Sequence, residues 1–200
     1  MRGQMSRDKI ISEAYKFMTK KGYSSFSYAD LAKKIGITKP SIHYYFQSKS
    51  DLGEEVIRRS LANLKLKLKD IEINNESLRS RLNSYLCLFM DDFYCSRLPL
   101  CCSLSADRDN LPDGMVLLMA DYFKVHLDWV IKIINQGKQK QETIQHIDVE
   151  KISLLIINSL EGANIVANAL QQPRFFKDSF GELIDLFIKT SFLIVVNRLA

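Results

Sequence analysis

The stretch Ser27–Lys49, SYADLAKKIGITKPSIHYYFQSK, decides how this chain folds. Ser27 offers an N-cap oxygen, and Asp30 follows three residues on, the pairing of a capping box. Leu31, Ala32 and Ile35 then share one helix face. Gly36 stops that helix, because glycine takes left-handed cap backbone without strain. Thr38 is the next N-cap, and Pro40 sits in the first turn, where its missing N–H costs little. The third helix therefore runs from about Lys39 to Phe46. Ser48 and Asp51 repeat the box and open a fourth helix over about 49–70. Two short helices joined by the Gly36-Ile37-Thr38 turn form a helix-turn-helix. So short a pair is unstable alone. Its core must come from the fourth helix and from a first helix over 7–21, where Ile10, Ile11, Ala14, Phe17 and Met18 make one stripe and Gly22 ends it.

Beyond this region the apolar spacing predicts helices at about 76–95, 103–110, 112–137, 148–171 and 176–198. The breaks fall at Asn74-Asn75, Ser96–Pro99, Leu111-Pro112 and Gln172-Pro173. Only 8 glycines and 4 prolines occur in 200 residues. The expected class is all-α: an N-terminal three-helix helix-turn-helix domain, residues 1–50, joined to a larger helical ligand-binding and dimerisation domain, residues 51–200. The most apolar run, Leu183–Val196, is broken by Asp185 and Lys189, so no membrane span is expected. The start shows no secretory signal. Cys87, Cys95, Cys101 and Cys102 form no Cys-x-x-Cys pair; this suits a reducing cytoplasm better than a disulfide framework or zinc site.

Charge is unevenly spread. Residues 1–70 carry 15 Lys/Arg against 7 Asp/Glu, and residues 71–200 carry 13 against 16. A basic first third suits a polyanionic partner, double-stranded DNA, as well as it suits a solvated surface. Within it, Ile42, Tyr45 and Phe46 are spaced to face inward, while Thr38, Lys39, Pro40, Ser41, His43 and Tyr44 are left on the outer side. Lys39 can reach a phosphate or guanine, Thr38 and Ser41 can hydrogen-bond, and His43 and Tyr44 pair flat rings with polar tips. Lys49 at the start of the fourth helix, and Ser27 and Tyr28 at the start of the second, suit phosphate beside free backbone N–H groups. The aromatic residues serve equally as core. No second ligand stands at metal spacing from His43, and the chain has no glycine-rich phosphate loop, nucleophile elbow or His-Glu-x-x-His. Neither an enzyme, a metal nor a cofactor is expected.

The segment Arg7–Arg59 resembles the DNA-binding domain of the TetR family of transcriptional regulators. The likeness rests on Ile-Ile-x-x-Ala at 10–14, Lys21-Gly22-Tyr23, Asp30-Leu31-Ala32, Ile35-Gly36-Ile37, Thr38–Ile42 and Tyr44–Lys49 followed by Leu52. His43 stands where the family usually has tyrosine, and Tyr45 where it often has histidine. The resemblance implies a recognition helix at 39–45, Lys49 on a phosphate, and a homodimer whose two reading heads meet a pseudo-palindromic operator.

The helices at 148–171 and 176–198 read as apolar on more than one face, through residues such as Leu155, Ile165 and Val166 in the first and Phe180, Phe187, Phe192, Leu193, Val195 and Val196 in the second. One stripe packs a helix onto its own domain; a second calls for a partner, here the homodimer. Tyr85, Phe89, Phe93, Tyr122, His126, Trp129, Asn158 and Glu161 mix aromatic walls with few polar groups, as small-molecule pockets and plain cores both do. Gly162 in mid-helix suggests a close crossing or room for a ligand. Cys101 and Cys102 are either buried hydrophobes or thiols for an electrophile. The reading is a repressor released from its operator by an unknown small-molecule or electrophile effector. The alternative is an effector-independent architectural or cell-cycle factor of the same fold.

Overall fold

The capping residues of the quoted stretch do what their types dictate. In the computed structural model, which describes residues 2–95 and 97–189, Ser27 accepts from Asp30 N–H and Asp30 accepts from Ser27 N–H, opening α2 (Tyr28–Ile35) after α1 (Arg2–Lys21). Gly36 closes α2 in left-handed backbone at φ 81°, a conformation costly to any residue with a Cβ. Thr38 caps α3 (Lys39–Tyr45). There follow α4 (Lys49–Asn74), α5 (Leu78–Tyr94), α6 (Leu100–Ser105), a 3-10 turn at Arg108–Asn110, α7 (Asp113–Gln139), α8 (Val149–Leu170) and α9 (Arg174–Asp185). The described residues are all-α, with one isolated antiparallel bridge between Thr143 and Ile188.

Two units form. The first comprises the chain up to Leu66 together with Tyr94–Val125. Its core joins the helix-turn-helix (Leu31, Ile35, Ile42, Phe46) to α1 (Ile10, Ala14, Met18), the start of α4 (Leu52, Val56, Ile57), α6 and Met115 of α7. A Cβ on Gly53 would stand 2.5 Å from the Met115 sulfur, so glycine lets α4 and α7 approach there. Ser103 Oγ donates to the Met18 carbonyl at 2.8 Å. Arg59 bridges Asp8 of α1 and Glu55 of α4, and Arg7 adds a second pair to Glu55. These half-exposed pairs fix register more than they add stability. Packing thus groups the start of α4, α6 and the start of α7 with the helix-turn-helix, across the division expected at 50/51.

The second unit comprises Lys67–Phe93 and the described residues from His126 onward. On α8, Ser153, Ile156, Ile157, Leu160, Asn164 and Ala167 are buried, whereas Leu154, Leu155, Ile165, Val166 and Leu170 are exposed. The two sets lie on opposite sides of the helix. By length and composition alone α8 could cross a membrane, which the sequence reading did not foresee.

Three expectations are corrected. The helix placed at 103–110 is α6 over Leu100–Ser105 followed by the 3-10 turn: Pro99 starts the helix early, and the Asp107 carboxylate is drawn away to Ser24. The helix placed at 176–198 begins at Arg174 and ends at Asp185. There the backbone turns to pair with another loop, Ile144 N–H donating to the Phe187 carbonyl at 2.9 Å and Lys189 N–H to the Glu142 carbonyl at 2.8 Å. Nor is α9 apolar on more than one face: Phe176, Phe180 and Ile184 face inward, while Lys177, Asp178 and Glu182 are exposed. Phe192, Leu193, Val195 and Val196 lie outside the described residues.

Candidate nucleic-acid interface

The outer side of α3 is open. Ile42 is fully buried and Phe46 nearly so, anchoring the helix, while Thr38, Lys39, Pro40, His43 and Tyr44 are exposed. Tyr44 is 82% exposed, far beyond what a core aromatic shows. Tyr45 is half-buried, its ring 5.0 Å edge-on from that of Tyr44. Thr38 Oγ1 accepts from Ser41 N–H and lies 2.8 Å from Ser41 Oγ. One hydroxyl proton lies between these two oxygens, which leaves the other for an outside acceptor. The exposed cations Lys20, Lys21, Lys33 and Lys34 close α1 and α2.

Two residues singled out for phosphate are committed inward. The Tyr28 ring is buried, and its hydroxyl is shared between the carbonyls of Phe46 and Ser48. Burial, then the charge of Asp51, hold this phenol well above its ordinary pKa, so it remains a donor. Only the Tyr28 backbone can serve at the α2 start, beside the exposed Ser27. The Lys49 ammonium donates to the Tyr23 carbonyl at 2.6 Å and stands 4.4 Å from the ring centres of Tyr23 and Phe26. Loss of water lowers its pKa, against the pull of Asp107 and Asp30. Lys49 therefore clasps the turn before α2 rather than reaching outward.

His43 is held by two contacts. Its Nδ1 is 3.2 Å from the Gln47 carbonyl oxygen, and its ring lies 4.8 Å from the Tyr28 ring at 69°. The structural part of Gln47 is its carbonyl, which no side-chain pattern signals.

The effector candidates separate. Tyr85, Phe89, His126 and Trp129 gather in the second unit, with Tyr85 Oη 2.6 Å from His126 Nδ1 and ring centres 5.0–5.8 Å apart. Burial lowers the His126 pKa to about 4, so this ring is neutral. Trp129 Nε1 donates to Glu72 at 3.0 Å, a partner the sequence reading missed. Phe93 packs edge-on against Phe176, and Glu161 is half-buried. Asn158, expected inward, is exposed; the buried amide of α8 is Asn164, which reaches toward the Phe89 carbonyl. Cys101, Cys102 and Tyr122 belong to the first unit. Cys101 is buried and Cys102 half-buried, whereas Cys87 and Cys95 are exposed. A Cβ on Gly162 would meet nothing within 4 Å, so no close crossing among the described residues explains that glycine.

A profile of the bacterial regulatory proteins of the tetR family matches residues 10–56, the span from α1 to the start of α4. Over that span the chain resembles the tetR family. The chain is similar to the HTH-type transcriptional regulator CymR of Pseudomonas putida, 27% identical over 172 residues, covering 80% of this chain and 78% of that protein. It also resembles the biofilm operon negative transcriptional regulator IcaR of Staphylococcus aureus, 36% identical over 52 residues, which cover 26% of this chain and 28% of that protein. A solved TetR-family regulator from Agrobacterium tumefaciens shares the fold at TM-score 0.89 and 23% identity, over 94% of this chain and 100% of that one.

Proposed function

We propose that this chain is a TetR-family DNA-binding transcriptional repressor that grips a double-stranded operator as a homodimer in the cytoplasm. The observation that carries the reading is the open polar side of α3 on a helix anchored by Ile42 and Phe46. A helix so presented fits the major groove. Lys39 would meet phosphate or guanine, Thr38 and Ser41 would offer a hydroxyl proton, and Tyr44 would give a flat ring for base or sugar. The negative regulator among its relatives supports repression.

The dimer would run through α8. Leu155, Asn158, Ile165, Val166 and Ala169 are exposed along one stripe opposite the buried face, with the half-buried Gly162 among them. An unpartnered apolar stripe of this length favours a partner helix over water, and Gly162 lets that helix come close. α9, the described part of the helix expected over 176–198, would complete the interface. An effector small molecule would act through the second unit, where Tyr85, Phe89, His126 and Trp129 offer aromatic walls and a neutral imidazole. Of the paired thiols, an electrophile would meet Cys102 before Cys101. Either effector must bind one spacing of the reading heads better than the other.

A gel shift on the promoter region of the chain's own gene tests the reading. Wild type shifts the fragment at moderate salt, and Lys39→Ala and Tyr44→Ala each weaken the shift by about tenfold. Unchanged binding by both variants would remove α3 as the reading element.

A further inference from the structure

We propose that His43 selects an amino base, adenine or cytosine, at one position in each operator half-site, with Nε2 as hydrogen-bond acceptor. The proposal rests on the reading of α3 as the recognition helix. It follows from proton accounting. The Gln47 carbonyl, 3.2 Å from Nδ1, can only accept, so Nδ1 carries the proton. A neutral imidazole has one such proton, and Nε2 is left with a lone pair. Among the described residues nothing engages Nε2, and His43 is exposed.

The orientation is held from the other side as well. The Tyr28 ring stands 4.8 Å from the imidazole, and Tyr28 is itself fixed by burial and by its hydroxyl on the Phe46 and Ser48 carbonyls. Tyr28 is thus a positioning residue for His43. In the major groove, adenine and cytosine present an exocyclic amino donor, whereas guanine and thymine present a carbonyl acceptor. A lone-pair acceptor pairs with the first two and repels the second two.

The test is selection from a randomised duplex library by the full chain, its His43→Phe variant and its His43→Lys variant, followed by affinity measurements on the selected duplexes. Phenylalanine keeps a ring against Tyr28 but has no acceptor; lysine supplies a donor. At one position per half-site, wild type prefers A or C over G or T by about fivefold or more. His43→Phe reduces that preference below about twofold while the preferences at the other positions persist. His43→Lys inverts it toward G or T. A selected operator whose preferences are all untouched by His43→Phe overturns the proposal, as does a His43-dependent position at which wild type prefers G or T. Failure of wild type to select any sequence overturns the recognition-helix reading along with it.

Discussion

Acid should destabilise this chain through one buried imidazole. His126 is 4% exposed, and burial lowers its pKa to about 4. Unfolding returns the ring to water and to an ordinary pKa of about 6.5. Between these values the unfolded chain binds the extra proton, so stability rises with pH there. The contribution is complete above about pH 6.5 and is lost as pH falls toward about 4. Integrating between about pH 7.5 and about pH 5 gives a loss of about 2 kcal/mol from this group. Urea unfolding of wild type and His126→Gln at the two pH values isolates the term, because other titrating groups are common to both. Glutamine keeps a polar partner for the Tyr85 hydroxyl, 2.6 Å from the ring nitrogen. Trp129 is the only tryptophan and its ring centre lies 5.0 Å from that of Tyr85, so its fluorescence follows the unit in question. Wild type should lose about 2 kcal/mol more than the variant on acidification. Equal losses would refute the reasoning, since they would mean that the folded ring takes up its proton as readily as the unfolded one.

Tyr28→Phe removes the hydroxyl donor to the Phe46 and Ser48 carbonyls, of which Ser48 keeps Leu52 N–H at 3.3 Å, and should cost about 1–3 kcal/mol, read as a lowered thermal midpoint with helicity intact. Gly36→Ala meets no clash, since nothing lies within 4 Å of the added Cβ, but it places a Cβ at φ 81° and should cost about 1–2 kcal/mol in a denaturant titration. Ile165→Glu puts a charge in the exposed stripe of α8, and sedimentation should show monomers where wild type sediments as a dimer; an unchanged dimer would move the interface elsewhere.

The helix-turn-helix was legible because its signals are local. Ser27 with Asp30, Gly36, Thr38 and Pro40 each act on backbone within three or four residues, and the structure places each where that chemistry requires. Long-range decisions were not legible. Nothing near Lys49 says that its ammonium will lie over Tyr23 and Phe26, more than twenty residues away. Tyr28 follows an N-cap in sequence, yet its hydroxyl is claimed by carbonyls beyond α3. The end of α9 carried no glycine or proline; the backbone of Glu142–Ile144 ends it by offering other hydrogen-bond partners. Asn158 and Asn164 are alike as residues, and only which side of α8 meets α5 and α9 decides that Asn164 is buried. Gly53 gave no local sign, because the close approach it permits is to Met115.

Methylation protection by dimethyl sulfate bears most directly on the claim that the open side of α3 enters the major groove. Guanine N7 lies in that groove and adenine N3 in the minor one. The wild-type protein on its operator should shield guanine N7 in two patches about one helical turn apart, with adenine N3 left reactive, and Lys39→Ala should lose the shielding. Protection confined to adenine N3 would place the protein in the other groove and contradict the account.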